Sequence, residues 1–350
     1  MTLDLDSPEI YLKDPYRRAF EIVGEFVQDF RHGFKAGMSV ELDLARLEKI
    51  LSIGVGGSGI ICDIVSQILG ERGIYCEVLK DYRIRGGDWD LIMAVSHSGN
   101  TAEVLNVVLK LLDKNVKLLF ITSDGILMRI GEKYRIPTVP VRGDAPPRYC
   151  LPSMLGASLG AFHKTGLIDL DFEYSELEEF QKKIRENIPA RRNYAKRLAY
   201  KIAEGFPVVY AYEEVKYAGY RLKCQLNENA KIYCGFGELP EAFHNDIEAL
   251  PDNALIILPR SFRESEELKL SIEAFSRLIG EDRVFSIRVD SRRRLGELLE
   301  LIIFADYTSL YLSLLKGSDP LKLPRMDALK KRNMAYSMIV EEATRRIDDR

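Results

Sequence analysis

Two short stretches of the chain hold residue types that suit anion chemistry. The first, Gly54-Val-Gly-Gly-Ser-Gly59, satisfies G-x-G-x-x-G between an apolar run and a helical pattern. Glycines there let backbone approach a ligand at a helix N-terminus, where free N–H groups and the helix dipole favour an anion. Alone, this turn fits a nicotinamide dinucleotide, with Glu77 or Asp81 near the end of the next strand for the ribose. It fits a tight strand-to-helix turn equally well. The second stretch, Ser96-His-Ser-Gly-Asn-Thr101, again lies between a strand and a helix. Ser96, Ser98 and Thr101 present three hydroxyls, and Gly99 allows close approach. With free backbone N–H groups they make a cradle for a phosphate monoester, and no lysine is present to make it a Walker loop. Helix capping by Ser98 or Thr101 accounts for one hydroxyl and not for the set. Ser58 can close the cradle from the side, with Gly56 and Gly57 lending backbone. A dinucleotide fold has no need of this second loop.

The elements that must position these loops follow from the apolar pattern. Strands are predicted over 50–55, 75–81, 90–96, 117–124 and 136–141, and helices over 58–73, 100–115 and within 145–166. The runs are apolar without alternation, which suits strands covered on both faces, hence a parallel sheet with crossover helices. A charged helical stretch, 175–205, leads to a second series. Its strands are predicted at 206–213, 253–260 and 283–290. Its helices fall at 216–231 and 265–280, with a long helical stretch at 292–317. The expected fold is α/β, two tandem units of like build, repeated in pattern and not in residue identity.

Size and charge agree. At 350 residues the chain suits two domains, and a net charge of −3 points to neither nucleic acid nor an anionic membrane. The first thirty residues contain no apolar signal-peptide core, and no apolar run is expected to approach bilayer-spanning length. A cytoplasmic protein is expected. The five cysteines form no C-x-x-C and the four histidines no i, i+4 pair, so no metal site is expected. Each cysteine reads as a small buried hydrophobe. Only four Gln and ten Asn stand among many Lys, Arg and Glu, a lean toward a thermophile that leaves an intracellular disulfide open.

"GVGGSG" followed by "SHSGNT" resembles the sugar isomerase domain, a flavodoxin-like module that binds phosphosugars. Further motifs keep their order: Pro146-Pro147-Arg148, "NENAK" at 227–231, "ELPEAFHND" at 238–246 and "GSDPLKLPRMDALKKR" at 317–332. Over nearly its whole length the chain resembles the bifunctional phosphoglucose/phosphomannose isomerases. The resemblance implies two flavodoxin-like subdomains, at 1–165 and 190–350, joined by a helical connection at 166–189. It implies aldose–ketose isomerisation of sugar phosphates without cofactor or metal, and a homodimer. Glu228 aligns with the family's base. His244, entering from the partner subunit, and Lys330 align with the groups that open the sugar ring. Arg148 would lie beside the developing oxyanion, where a planar guanidinium suits an enediolate. His97 stands where the family has an aromatic residue. As a partly charged imidazole it would add weak phosphate affinity below pH 7. "GIICD" at 59–63 and Tyr149, Cys150 and Pro152 also depart from the pattern. The rival expectation is a phosphosugar sensor without catalysis, although neither terminus carries a basic DNA-reading helix.

Overall fold

A computed structural model describes residues 3–42, 47–84 and 86–348. In chain order, helices α1 (Tyr16–Gly24) and α2 (Phe26–Ser39) precede the first sheet. Then follow β1 (Lys49–Ile53), α3 (Gly57–Gly70), β2 (Tyr75–Leu79), β3 (Leu91–Val95), α4 (Ala102–Leu109), β4 (Leu118–Thr122), α5 (Gly125–Tyr134), β5 (Thr138–Pro140) and α6 (Leu151–Lys164). Helices α7 (Tyr174–Lys183) and α8 (Tyr194–Glu204) lead to β6 (Phe206–Ala211), α9 (Lys216–Asn229), β7 (Gly235–Glu238), β8 (Ala254–Pro259), α10 (Glu266–Ile279) and β9 (Val284–Ile287). The chain ends in α11 (Arg294–Lys316), α12 (Pro324–Arg332) and α13 (Met334–Asp348). Packing divides it into two units, each discontinuous in sequence: Phe26–Leu170 with Leu323–Arg350, and Met1–Glu25 with Asp171–Lys322.

The first unit holds a five-stranded, wholly parallel sheet of order β2-β1-β3-β4-β5. This is the flavodoxin-like order, whose connections reverse direction between β1 and β3. Strands β3 and β4 are buried at every position, which is why their sequence shows no alternation. Helices α2 and α6 pack at unusually short range. A Cβ at Gly33 would meet the Ser153 carbonyl oxygen at 1.9 Å, and one at Gly156 the Phe30 carbonyl oxygen at 2.3 Å. Arg142, in the loop after β5, ties this layer together with a 2.7 Å ion pair to Asp29 of α2. Helix α13 packs on α4 and α5.

The second unit holds a four-stranded parallel sheet of order β7-β6-β8-β9, with its own reversal between β6 and β8. Its core helix is α11, buried almost throughout. By length and mean composition alone α11, at 23 residues, could cross a membrane, although acids interrupt its apolar run. Of its most apolar 18-residue window 94% is buried within the protein, and it carries the buried acids Glu297, Glu300 and Asp306, as a core helix does. Helix α9 is fixed to it by polar bonds. Arg221 Nε and Nη2 donate to the two Asp306 carboxylate oxygens at 2.9 and 3.1 Å, and Gln225 Nε2 donates to Oδ1 at 2.8 Å. One turn further, Asn229 Nδ2 donates to Ser309 Oγ at 2.8 Å. The helical stretch predicted at 175–205 is broken. Helix α8 restarts at Asn193, whose side chain caps it by accepting from the N–H groups of Ala195 and Lys196.

Candidate functional site

Strands β1 and β3 are hydrogen-bonded neighbours in the first unit, and both anion loops leave from their C-terminal ends. This is the crevice where open α/β sheets bind ligands. Gly56 (φ +59°) precedes α3, whose N-terminus has no side-chain cap. The N-terminus of α4 likewise has none, although Thr101 occupies the capping position. The Thr101 hydroxyl turns instead to Ser96 Oγ, 2.8 Å away. Capping therefore does not explain the hydroxyls, and among the described residues the first-turn N–H groups of both helices have no side-chain cap. Gly99 (φ +64°) has no room for a side chain, since a Cβ would lie 1.9 Å from the Asp124 carbonyl oxygen. Ser98 is exposed at the loop's tip and Ser96 buried at its base. Ser58 is buried in the first turn of α3, its hydroxyl 4.0 Å from Met154 Sδ.

Arg148 belongs to the same constellation. It lies in a 3-10 turn, Pro147–Cys150, that leads into α6. A Cβ at Gly57 would come within 3.9 Å of the Arg148 Cα, so this turn abuts the start of α3. The guanidinium is buried and lies over the Tyr149 ring, 4.7 Å from its centroid. Tyr149, a departure from the family pattern, thus packs directly on the arginine. His97 behaves otherwise than expected. Its ring is buried, with Nε2 2.8 Å from the Arg142 carbonyl oxygen. Burial lowers its pKa, against the pull of that carbonyl. A ring so held stays neutral near pH 7, so it braces the loop and adds no charge to the cradle. Lys330 is exposed on α12; among the described residues its side chain makes no hydrogen bond or ion pair.

The equivalent crevice of the second unit, beyond β6 and β8, is filled by the chain itself. Glu264 follows β8 in Arg260-Ser-Phe-Arg-Glu264. It accepts from Arg260 Nε and Nη2 at 2.7 Å each, from Arg288 Nη2 at 2.6 Å and from the Tyr212 hydroxyl at 2.7 Å. Burial would raise its pKa, but the bonds from Arg260, Tyr212 and Arg288 outweigh it and hold the carboxyl below its ordinary range. An internal carboxylate thus pairs with the donors at the C-terminal ends of β6, β8 and β9. Sequence inspection missed this residue; the signal was an acid in the loop where the first unit has hydroxyls.

Glu228 lies half-buried in the last turn of α9, beside the Arg221–Gln225–Asn229 stripe that faces α11. Lys231, which the sequence places only as part of the 227–231 motif around Glu228, lies just past the helix. It has φ +59°, and its ammonium donates to three main-chain carbonyls: Glu228, Asp319 (3.0 Å) and Lys322 (2.8 Å). It thereby ties the end of α9 to the segment 319–322. His244 ends a single 3-10 turn after β7 and is exposed. No hydrogen bond joins it to Glu228 among the described residues. All five cysteines are free thiols, three buried and two half-buried.

Residues 43–128 match the SIS domain family, and residues 191–332 match the family described as bacterial phospho-glucose isomerase C-terminal SIS domain. The chain is 31% identical over 312 residues to the bifunctional phosphoglucose/phosphomannose isomerase of Pyrobaculum aerophilum, covering 86% of this chain and 94% of the relative. It is 29% identical over 322 residues to the enzyme of the same name from Aquifex aeolicus, covering 89% and 98%. In fold it is similar to the C-terminal domain of glucosamine-fructose-6-phosphate aminotransferase from Francisella tularensis. That match has a TM-score of 0.69 at 15% identity, over 88% of this chain and 98% of that one. The chain is a sugar-phosphate isomerase and belongs to the bifunctional phosphoglucose/phosphomannose isomerase family.

Proposed function

We propose that the protein interconverts glucose 6-phosphate and fructose 6-phosphate, accepts mannose 6-phosphate as a second aldose, and acts as a cytoplasmic homodimer. The observation that carries this is the uncapped, hydroxyl-lined cradle at the β1/β3 crevice, in a chain of this family. A phosphate monoester suits it: Ser58, Ser96, Ser98 and Thr101 supply hydroxyls, and Gly56 and Gly57 bring N–H groups close.

In the proposed chemistry, His244 of the partner subunit and Lys330 move a proton between the ring oxygen and the anomeric hydroxyl, which opens the sugar. Glu228 takes the proton from C2 of the aldose and returns it to C1. The hydroxyl proton passes from O2 to O1, so the cis-enediol collapses to the ketose with atoms and charge balanced. Reprotonation of C2 from either face gives glucose or mannose phosphate. Arg148 stabilises the negative charge on the enediolate oxygens. His244 is exposed, as a residue offered to a second subunit must be, and Lys231 fixes the helix end that carries Glu228.

The test is a coupled assay for glucose 6-phosphate from fructose 6-phosphate with chelator present, repeated from mannose 6-phosphate. Turnover on both is expected. Glu228→Gln should abolish it while fructose 6-phosphate still binds by calorimetry. Unchanged turnover in that variant would remove Glu228 as base. Binding without turnover in the native protein would make it a phosphosugar sensor.

A further inference from the structure

The second unit contains a groove that the reaction does not use. It lies at the open edge of the second sheet, between α8 and α10 and beside β9, with a volume of about 580 Å³. That is within the size range of small-molecule sites, roughly 300–1,000 Å³. Tyr194, Arg197 and Lys201 fall at i, i+3 and i+7, so one stripe of α8 forms a wall. Arg277 of α10 faces the same space, and the floor is apolar, from Ile272 and Phe285.

Its charge is poorly compensated. Among the described residues Arg197 has no carboxylate partner; its guanidinium lies 4.7 Å over the Tyr194 ring. Among the described residues Lys201 reaches only the Asp282 main-chain carbonyl, at 3.4 Å. Arg277 meets Glu273 at 3.7 Å with both side chains exposed, a pair worth little in water. Glu281 is the other carboxylate in the lining. The fourth cation, Arg260, is already spent on Glu264.

The aromatic wall narrows the ligand class. Tyr194 packs edge-on against Phe285, centroids 5.6 Å apart, and is 44% exposed. The Arg197 guanidinium lies over the Tyr194 ring and is exposed, so a planar heterocycle can extend the stack on the guanidinium's outer face, with the ring beneath it. Lys201 lies two turns further on, about 10 Å along the axis. A ligand touching both therefore needs a flat ring at one end, an anion at the other and a spacer between.

We propose that this groove is a nucleotide-binding site, with the base on Tyr194 and Arg197 and the phosphate on Lys201 and Arg277. The test is calorimetric titration of the full-length protein with adenosine 5′-monophosphate and, separately, with inorganic phosphate. Saturable binding of one nucleotide per chain is expected. The exposed double variant Arg197→Gln/Lys201→Gln should weaken it about tenfold or more. Tyr194→Ala should weaken the nucleotide severalfold and leave inorganic phosphate unchanged. Ser96→Ala, in the cradle of the first unit, should leave nucleotide binding intact, which separates this site from the proposed sugar-phosphate one. No saturable binding, equal binding in the double variant, or loss in Ser96→Ala would overturn the proposal. Native-like nucleotide affinity in Tyr194→Ala would overturn the nucleotide assignment.

Discussion

Glu300 is fully buried in the second turn of α11, and its carboxylate is only half satisfied. Oε2 accepts from the main-chain N–H groups of Asp290 and Ser291, each at 2.8 Å. Oε1 has no hydrogen-bond partner among the described residues. Burial dominates and pushes the carboxyl up to about 7 from the ordinary 4.5, against the pull of the two N–H bonds. The native state therefore holds a proton between pH 4.5 and about 7 where the unfolded chain has lost it. Stability from this group is present at low pH and lost as pH rises through that window. At about 1.4 kcal/mol for each tenfold change in proton activity, ionising Glu300 in place costs about 3 kcal/mol. Glu300→Gln removes that cost, because the amide reproduces the shape and hydrogen bonds of the protonated acid. The variant should match the native protein near pH 4.5 and exceed it by up to about 3 kcal/mol at pH 8.5. That corresponds to a rise of about 6–12 °C in Tm for a unit of this size. Thermal or urea unfolding from pH 4.5 to 8.5 checks it. A difference that does not vary with pH, or a variant weaker than native at pH 8.5, would refute the reasoning.

Three further substitutions probe other parts of the structure. Gly156→Ala should cost at least about 2 kcal/mol by urea unfolding, because its Cβ would lie 2.3 Å from the Phe30 carbonyl oxygen; the gain in helix propensity, about 1 kcal/mol, is smaller. Glu264→Ala should destabilise by about 3–5 kcal/mol by leaving Arg260 and Arg288 unpaired. Inorganic phosphate should then raise the variant's Tm more than the native protein's, whereas Glu264→Gln, which leaves no space, should gain no such rescue. Lys231→Met should lower kcat about tenfold with KM little changed, since the bonds it loses hold the end of the helix that carries Glu228. Lys231→Arg should restore part of that loss, and an unchanged kcat would reduce Lys231 to a surface tie.

What could be read from sequence was what local chemistry determines. The loops at 54–59 and 96–101 announced themselves because glycines and hydroxyls were concentrated between apolar runs, and the structure places both at the β1/β3 crevice. Strand β7 escaped because Gly235-Phe-Gly-Glu238 has neither length nor an apolar pattern. Gly237 is small because of a distant residue: a Cβ there would come within 2.7 Å of the Tyr210 ring. Helix α5 was passed over since Gly125 and Gly131 break its pattern. Gly131 is needed where a Cβ would lie 2.3 Å from Thr138 Oγ1. The sequence pairs Gly33 and Gly37, and Gly156 and Gly160, one turn apart, but which helix each pair faces is set by the packing of α2 on α6. The state of His97 was likewise not local, because its partner, the Arg142 carbonyl, lies 45 residues away.

The two units show why repeating a fold does not repeat a site. Both sheets reverse connection at the same place, so both create a crevice beyond two neighbouring parallel strands. In the first unit the loops there end in hydroxyls and helix starts without side-chain caps, a set of donors that suits an anion. In the second the donors are Arg260, Arg288 and Tyr212, stronger as a set, yet they converge on Glu264, which shares a loop with Arg260. A tethered carboxylate competes at an effective concentration on the order of millimolar or above, with no association entropy left to lose. A free phosphate ester at cellular levels must displace it and leave it charged and buried, which costs several kcal/mol. The stronger cluster of donors is therefore the one already paired within the chain, and the weaker, neutral one is the cradle proposed here for the sugar phosphate.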